Sequence, residues 1–334
     1  MMQQSSMRVV ALLACAAVQG LFLSSADAQP ITIGVLGDSN SDEYRADDNR
    51  GGAYASVTFN WVEILARTRN VDFGPWGTRA EPRRSGYAYN WARSGARARD
   101  LGPQQTGLAQ QVRNGEVEYV IVHIGTNDIH PDGNTYRNIY NGTLSGAQLQ
   151  NFLNNVTANI RSAVQEVAEA GAKVLVTGVP DAAASPEHQA KYPDPARREV
   201  VTNAINVINN ALRADAERNP NIAYVDMAVF SQLVLQRLQP TGHILVGGER
   251  IDLFNRGNEP HHMRLDDESG HAGTVGNGLM ANMLFLAPLN EAFGTNIPLL
   301  TDEEILCVAG ILKGDECPSA NPARPLPPEL SLQE

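Results

Sequence analysis

The sequence predicts an α/β fold in which helices cover both faces of a mainly parallel β-sheet. Short apolar runs rich in β-branched residues alternate with longer segments whose apolar residues recur at helical spacing. Such alternation is typical of parallel sheets, because a helix usually connects two parallel strands. Two of the apolar runs, at 31–36 and 117–124, stop at a glycine followed by polar residues. This pattern indicates a turn at the end of a buried strand.

The first 28 of the 334 residues predict a signal peptide. Arg8 supplies a positive charge, residues 9–23 are almost continuously apolar, and small residues at 26 and 28 suit a signal peptidase. We therefore expect cleavage near Ala28 and secretion to the periplasm or the medium. A lipid anchor at Cys15 is the alternative, but it would leave a very short apolar core before the cysteine. The apolar run is shorter than a membrane span of about 20 residues, and no later segment is long enough.

Residues 29–298 are expected to form one domain. Strands are predicted to begin at residue 31 and to cover 117–124, 173–179 and 222–227. Helices are predicted over 56–67, 104–113, 147–170, 195–218 and 279–293. The polar residues 41–54 predict an exposed loop, and Gly247-Gly248 between apolar runs predicts a β-hairpin.

Residues 299–334 are expected to form a C-terminal extension. Residues 301–313 predict a short helix, and the proline-rich residues 318–334 predict a disordered tail. Cys307 and Cys317 are the two cysteines that remain after cleavage, and their spacing in an exported chain predicts a local disulfide. The formal charge of −11 argues against nucleic acid as a partner, because an acidic protein is repelled by phosphates.

The chemistry-bearing residues lie in loops that follow predicted strands or precede the last helix. The carboxyl ends of parallel strands share one edge, so these loops can converge. Ser39 follows the first strand and is a candidate nucleophile, provided that a base takes its proton. His271 is the candidate base, and Glu268 or Asp267 can orient its ring.

An oxyanion formed during attack on a carbonyl also needs hydrogen-bond donors. The backbone N–H groups of Ser39 and Gly95 and the side-chain amide of Asn127 are the candidates. Glycine at position 95 would let a substrate come close to the backbone.

In these motifs the chain resembles the SGNH/GDSL hydrolases. The resemblance rests on Gly-Asp-Ser-Asn at 37–40, the Gly95 loop, Gly-Thr-Asn-Asp at 125–128, and an acid three residues before His271. It covers about residues 31–297 and implies a three-layer α/β/α sandwich of the flavodoxin-like kind. It also implies a secreted esterase or lipase that needs no metal or other cofactor. Carried over, Ser39 is the nucleophile, His271 the base, and Gly95 and Asn127 contribute to the oxyanion hole.

Two positions depart from the family pattern. Asn40 stands where the family usually has leucine. Glu268 stands where the family usually has the triad aspartate, directly after Asp266 and Asp267. We expect Glu268 to be the acid, and Asp267 is the alternative if the loop is shifted by one residue.

The expected substrate is a small molecule or polysaccharide that carries a short acyl ester, with acetylated carbohydrate as one candidate. A metal-dependent phosphoesterase is an alternative, because Gly-Asp, Gly-x-Asn-Asp and several histidines superficially suit one. A non-catalytic binding protein is another, because a fold does not determine a function.

Overall fold

The computed structural model describes residues 29–46, 50–81, 83–181 and 186–318; the predicted signal peptide and most of the predicted tail lie outside these residues. Five strands form the central sheet: β1 (Ile31–Gly37), β2 (Val71–Asp72), β5 (Tyr119–His123), β6 (Lys173–Thr177) and β7 (Ile222–Val225). They lie in the order β2-β1-β5-β6-β7, and all neighbouring pairs are parallel. The predicted parallel α/β fold is confirmed.

Helices cover both faces of this sheet. One face packs against α2 (Leu101–Arg113), α4 (Gly146–Glu169) and α6 (Pro195–Arg218). The other packs against α1 (Trp61–Thr68), α8 (Thr274–Met280) and α9 (Ala287–Phe293), with a π-helical segment, Ala281–Leu286, joining the last two. Along β5, Tyr119 and Ile121 enter one core while Val120 and Val122 enter the other, as the two-residue period of a strand requires. This three-layer sandwich is the predicted architecture.

Helix α1 begins later than the predicted residue 56 because a cap fixes its start. The Asn60 side chain accepts a hydrogen bond from the Glu63 N–H, and the Glu63 carboxylate accepts one from the Asn60 N–H. This reciprocal capping box defines the first turn. Helix α6, by contrast, has the predicted bounds, with Asp194 as its N-cap.

Smaller elements surround the sheet. The predicted hairpin at Gly247-Gly248 joins β8 (His243–Val246) to β9 (Glu249–Arg256), and β10 (His262–Arg264) lies beside β9. A second hairpin joins β3 (Trp76–Thr78) to β4 (Ser85–Tyr87). The remaining helices are α3 (Asn134–Tyr140), α5 (Pro186–Lys191), α7 (Met227–Gln236) and α10 (Asp302–Val308). None of the helices in the described ranges is long and apolar enough to cross a bilayer.

The C-terminal residues up to 318 are attached to the rest of the fold. Cys307 and Cys317 are bonded, as predicted. Ile305 and Leu306 of α10 are buried in the same core as α1 and α8. Arg69, itself buried, also pairs with Glu304 at 2.7 Å.

The prediction of an exposed loop over 41–54 was wrong for its first residues. Asp42, Glu43 and Tyr44 are buried, with 3%, 2% and 1% of their surface exposed. Their polar atoms have partners distant in sequence: the Tyr87 N–H donates to Glu43, and the Tyr44 N–H donates to Glu63. Buried polar groups need such partners, and composition alone does not reveal them.

Candidate active site

The sheet has a topological switch between β1 and β5. Strand β2, which follows β1 in the chain, lies on one side of β1. Strand β5, the next strand of this sheet along the chain, lies on the other side. In open parallel sheets the ligand crevice lies at such a switch, outside the carboxyl ends of the strands. Ser39 follows β1 and Asn127 follows β5, so the fold places both beside this crevice.

The end of β1 is held by a buried glutamine of α2. The Gln104 side chain accepts a hydrogen bond from the Gly37 N–H at 3.0 Å and donates one to the Gly37 carbonyl at 3.1 Å. The backbone then turns tightly, because the Ser41 and Asp42 N–H groups both donate to the Asp38 carbonyl. Ser39 therefore lies in a turn that is fixed from both sides.

Asp38 stabilises this turn. Its carboxylate accepts hydrogen bonds from the backbone N–H and the side-chain amide of Asn40, at 3.0 and 2.9 Å. Burial raises the pKa of Asp38 to about 6, although these two hydrogen bonds oppose the rise. The asparagine at the position where the family usually has leucine thus takes part in the turn itself.

Ser39, His271 and Asp267 form a continuous hydrogen-bonded relay. His271 Nε2 lies 2.7 Å from Ser39 Oγ, and His271 Nδ1 lies 2.7 Å from Asp267 Oδ2. Only 7% of Ser39 is exposed, so the serine is shielded yet borders two openings. This arrangement lets a hydroxyl proton pass to an imidazole whose other nitrogen is held by a carboxylate.

The carboxylate that contacts His271 is Asp267 rather than Glu268. The Gly270 N–H donates to the Asp267 carbonyl, and Gly270 has φ +61°, which bends the chain back. The turn brings both the backbone N–H and the ring of His271 to the Asp267 carboxylate. No hydrogen bond joins Glu268 to His271; the Glu268 carbonyl instead accepts one from Arg256. The contact with His271 is thus made by the alternative acid, Asp267, four residues before the histidine.

The two hydrogen bonds from His271 keep Asp267 ionised. Burial raises the pKa of Asp267, but the hydrogen bonds and the positive charge of the protonated ring outweigh burial and lower the pKa to about 2. Asp267 therefore carries a negative charge at neutral pH, next to the ring that would accept a proton.

Residues that the sequence did not indicate hold the histidine segment. The Ala272 carbonyl accepts hydrogen bonds from the Tyr44 hydroxyl at 3.0 Å and from the Asn277 amide at 2.8 Å. The Tyr44 ring also meets the His271 ring edge-on, with 6.3 Å between the centroids. No motif marks Tyr44, because its role depends on a contact across 228 positions of the chain.

Three potential oxyanion donors belong to residues that line the openings at Ser39. The backbone N–H groups of Ser39 and Gly95 make no hydrogen bonds within the described part of the chain. Gly95 has φ +81°, and a Cβ built there would meet no atom within 4 Å, so the space beside it is open. One amide hydrogen of Asn127 is used by the Ala96 carbonyl at 3.0 Å, which fixes the amide and leaves its second hydrogen available.

Two buried aspartates connect these loops. Asp42 accepts hydrogen bonds from the Ser94 N–H at 2.7 Å and from Arg93 at 2.9 Å. Asp128 accepts one from the Ala98 N–H at 2.9 Å, and burial raises its pKa to about 6. The loop that carries Gly95 is therefore tied both to the serine turn and to the Asn127 turn.

Polar side chains line one of the two openings that Ser39 borders. This cleft has a volume of about 200 Å³, and its wall includes His130, His188 and Arg264. Burial lowers the pKa of His130, which favours its neutral form. Arg264 pairs with Glu187 at 2.9 Å.

We predict from the sequence that the site needs no metal. Across the described ranges, no three His, Cys, Asp or Glu residues converge as a metal-ligand set. His261 and His262 lie apart from the relay and approach Glu249 and Glu259, respectively.

A serine, a histidine and an aspartate joined by hydrogen bonds, beside residues with available N–H groups, are the parts that nucleophilic catalysis by a serine requires. Residues 33–282 match the family model of the GDSL-like lipase/acylhydrolases. Because the match spans most of the chain, the protein belongs to this family, and the resemblance seen in the sequence is confirmed.

Solved structures with low identity resemble the chain. An extracellular lipase from Streptomyces rimosus is 18% identical, with a TM-score of 0.44; the alignment covers 78% of this chain and 99% of the lipase. An acetylxylan esterase from Geobacillus stearothermophilus is 18% identical, with a TM-score of 0.41, covering 79% of this chain and 94% of the esterase. No curated protein sequence matches the chain.

Proposed function

We propose that the protein is a secreted serine esterase that cleaves short-chain carboxylic esters. The observation that supports this most directly is the relay from Ser39 through His271 to Asp267, with both hydrogen bonds at 2.7 Å. Membership of a lipase/acylhydrolase family supports ester hydrolysis as the reaction class.

In the proposed mechanism Ser39 Oγ attacks the ester carbonyl carbon while His271 Nε2 takes the hydroxyl proton. The ionised Asp267 holds the ring so that Nε2 faces the serine, and it stabilises the imidazolium that forms. His271 then gives the proton to the departing alcohol oxygen, which leaves an acyl group on Ser39. Water activated by His271 releases the acid and restores the serine.

The proposed oxyanion hole consists of the N–H groups of Ser39 and Gly95 and the side-chain amide of Asn127. Its donors need no rearrangement during the reaction, because Asp42 and Asp128 already hold the loops that carry them. Fixed donors stabilise the developing negative charge more effectively than water does, since water must reorient.

The substrate is proposed to carry a short acyl group, with acetylated carbohydrate as one candidate. Polar groups line both openings beside Ser39, including His130 and His188 in one opening and Arg50 and Ser94 in the other. A long hydrocarbon acyl chain would find little apolar surface in these two openings.

Secretion is proposed from the N-terminal sequence pattern. The bond between Cys307 and Cys317 supports an oxidising compartment, because reducing compartments keep most thiols unpaired. Expression of the full chain followed by mass spectrometry of the exported protein should give a mature N-terminus at Gln29.

The test of the proposed mechanism is Ser39→Ala, assayed with p-nitrophenyl acetate. We expect kcat to fall by at least about 10³-fold while the circular dichroism spectrum and the Tm stay close to wild type. Ser162→Ala is the matched control, because Ser162 lies on α4, away from the cleft. A Ser39→Ala protein with wild-type turnover would exclude the serine mechanism.

A further inference from the structure

A largely apolar cavity of about 290 Å³ adjoins the catalytic cleft. Helix α7 and strands β9 and β10 provide most of its apolar wall, with these side chains: Phe230, Val234, Leu235, Leu253, Phe254 and Met263. Its volume lies near the lower end of the range for small-molecule sites, about 300–1,000 Å³. The mechanism proposed above does not use this cavity.

The cavity and the cleft share part of their walls. Arg264, Gly270 and Ala272 line both, and two of these three flank His271 in the chain. Ser39, Gly95 and Asn127, which carry the proposed oxyanion donors, line the openings at the serine but not the cavity. The cavity therefore adjoins the histidine side of the site rather than the oxyanion side.

Charged side chains at the junction are already paired. Glu187 bridges Arg264 at 2.9 Å and Arg256 at 2.8 Å. Because each charge keeps its partner when water is displaced, a hydrocarbon group can pass an ion pair at lower cost than it could pass a lone charge. Glycine at position 270 leaves this junction free of a side chain, and a Cβ there would come within 2.7 Å of Arg264 Nη2.

The cavity wall also reaches the surface. Leu235 is 54% exposed and Phe254 is 37% exposed, so both present apolar surface to water next to the cavity. Exposed apolar surface that is continuous with a pocket is typical of ligand-binding grooves. The hydrophobic effect would favour a ligand that covers it.

We infer that this cavity binds the alcohol part of the ester, and that the preferred alcohol carries a hydrocarbon chain. The inference rests on the proposed function, in which His271 passes a proton to the departing alcohol oxygen. The alcohol must then leave along the histidine side of Ser39, which is the side that the cavity adjoins. Among the alcohols that the proposed function leaves open, the cavity thus selects hydrophobic ones over sugars, while the acyl group stays short.

The kinetic test compares two series of esters. The first lengthens the alcohol from methyl to hexyl acetate, and the second lengthens the acid from methyl acetate to methyl octanoate. Each methylene that enters the cavity should raise kcat/KM by about three- to fourfold, so the first series should rise steeply and the second should not. An equal rise in both series, or a rise in the second alone, would overturn the assignment to the alcohol.

Variants then locate the effect. Leu235→Gln should lower the ratio of kcat/KM for hexyl acetate to that for methyl acetate by at least about threefold, because it places an amide in the apolar wall. Ser231→Trp should lower the same ratio by filling the cavity mouth, since Ser231 is an exposed residue of the lining. Leu245→Gln is the matched control: Leu245 is 42% exposed on β8 but does not line the cavity. A ratio unchanged in both cavity variants would refute the inference.

A binding measurement separates this inference from the proposed function. Calorimetric titration of the wild-type protein with 1-hexanol should show saturable binding that Leu235→Gln weakens and Leu245→Gln does not. If no ester is hydrolysed but 1-hexanol binds in this pattern, the proposed function fails, and the cavity is a hydrophobic binding site without the role in ester cleavage assigned here. If esters are hydrolysed but 1-hexanol does not bind, the cavity assignment fails alone.

Discussion

The clearest test of the relay is a comparison of Asp267→Asn with Glu268→Gln. Both changes remove one negative charge from adjacent residues of the same loop. The structure places only Asp267 against His271, with hydrogen bonds to both the backbone N–H and the ring. An asparagine at position 267 can present its NH₂ group to Nδ1, which would stabilise the wrong tautomer of the histidine.

The size of the effect follows from the perturbed pKa of Asp267. The attraction to the protonated His271 ring and the hydrogen bonds from it lower this pKa to about 2, nearly two units below an ordinary aspartate. Such a difference corresponds to about 2 kcal/mol once screening of a side chain that is 27% exposed is allowed for. The same attraction develops when His271 takes the serine proton, so its loss should cost about 30-fold in kcat. Loss of the correct tautomer can extend the cost to about 10⁴-fold.

The assay is steady-state hydrolysis of p-nitrophenyl acetate at pH 7.5 by the two variants and the wild type. We expect a decrease of at least about 30-fold in kcat for Asp267→Asn and less than about threefold for Glu268→Gln. Circular dichroism should show that both variants are folded. A larger loss in Glu268→Gln than in Asp267→Asn would refute the relay geometry and restore the assignment made from the sequence.

Three further predictions concern the oxyanion hole, the buried acids and metals. Asn127→Ala should lower kcat by about 10²–10³-fold with little change in KM. The control Asn154→Ala, an exposed position on α4, should leave kcat unchanged. Equal kcat values in the two variants would refute the oxyanion role of Asn127. Burial raises the pKa of Glu43 to about 8, against an ordinary value near 4.3. Between these two pH values the folded state holds a proton that the unfolded state has lost. The free energy of unfolding should therefore fall as the pH rises through this range. Glu43→Gln should therefore raise the Tm relative to wild type by a few degrees at pH 8 and by much less at pH 5, and a difference independent of pH would contradict this. EDTA should leave esterase activity unchanged; loss that added metal reverses would favour the phosphoesterase alternative.

The sheet could be predicted because its signals are local. The apolar runs that form β1, β5 and β6 each end at or near a glycine, and the turn residues follow directly. Helices α4 and α6 were predicted to within one residue because long amphipathic patterns leave little ambiguity. Helix α7 was missed: only three of the ten residues of Met227–Gln236 are polar, so its helical periodicity is weak in the sequence.

The acidic loop after Ser39 shows where the sequence misleads. Its composition is that of a solvated segment, yet Asp42 accepts hydrogen bonds from residues about fifty positions away. Tyr44 contacts Ala272, and its hydroxyl is buried, which raises its pKa to about 12. These partners lie in separate segments of the sequence, so only the assembled fold shows that the loop is structural.

The choice between Glu268 and Asp267 was uncertain for a similar reason. The number of residues between an acid and a histidine does not determine which carboxylate contacts the ring. A turn that is longer or shorter by one residue would bring the neighbouring carboxylate to the ring instead. Gly270, with its positive φ, sets the turn, and the hydrogen bond from the His271 N–H to Asp267 then fixes the register. A glycine between the acidic residues and the histidine was visible in the sequence, but its conformation was not.

The topology explains why the two clearest sequence motifs, at 37–40 and 125–128, both lie at the ligand crevice. Because β1 and β5 are adjacent at the switch point, the residues after them lie beside the same crevice. His271 does not follow a strand of the central sheet. Its segment is held by backbone hydrogen bonds to the β10 segment, from the Leu265 N–H to the His271 carbonyl and from the Gly273 N–H to the Met263 carbonyl. Side-chain contacts, from the Asp267 carboxylate to the Tyr44 bond at Ala272, complete its position. Substitutions that loosen these contacts, such as Tyr44→Phe, should therefore affect the position of the base more than that of the nucleophile. Rapid labelling of Ser39 by a phosphonate, which still requires the base, would be slowed in such a variant, while the stability of the sheet would change little.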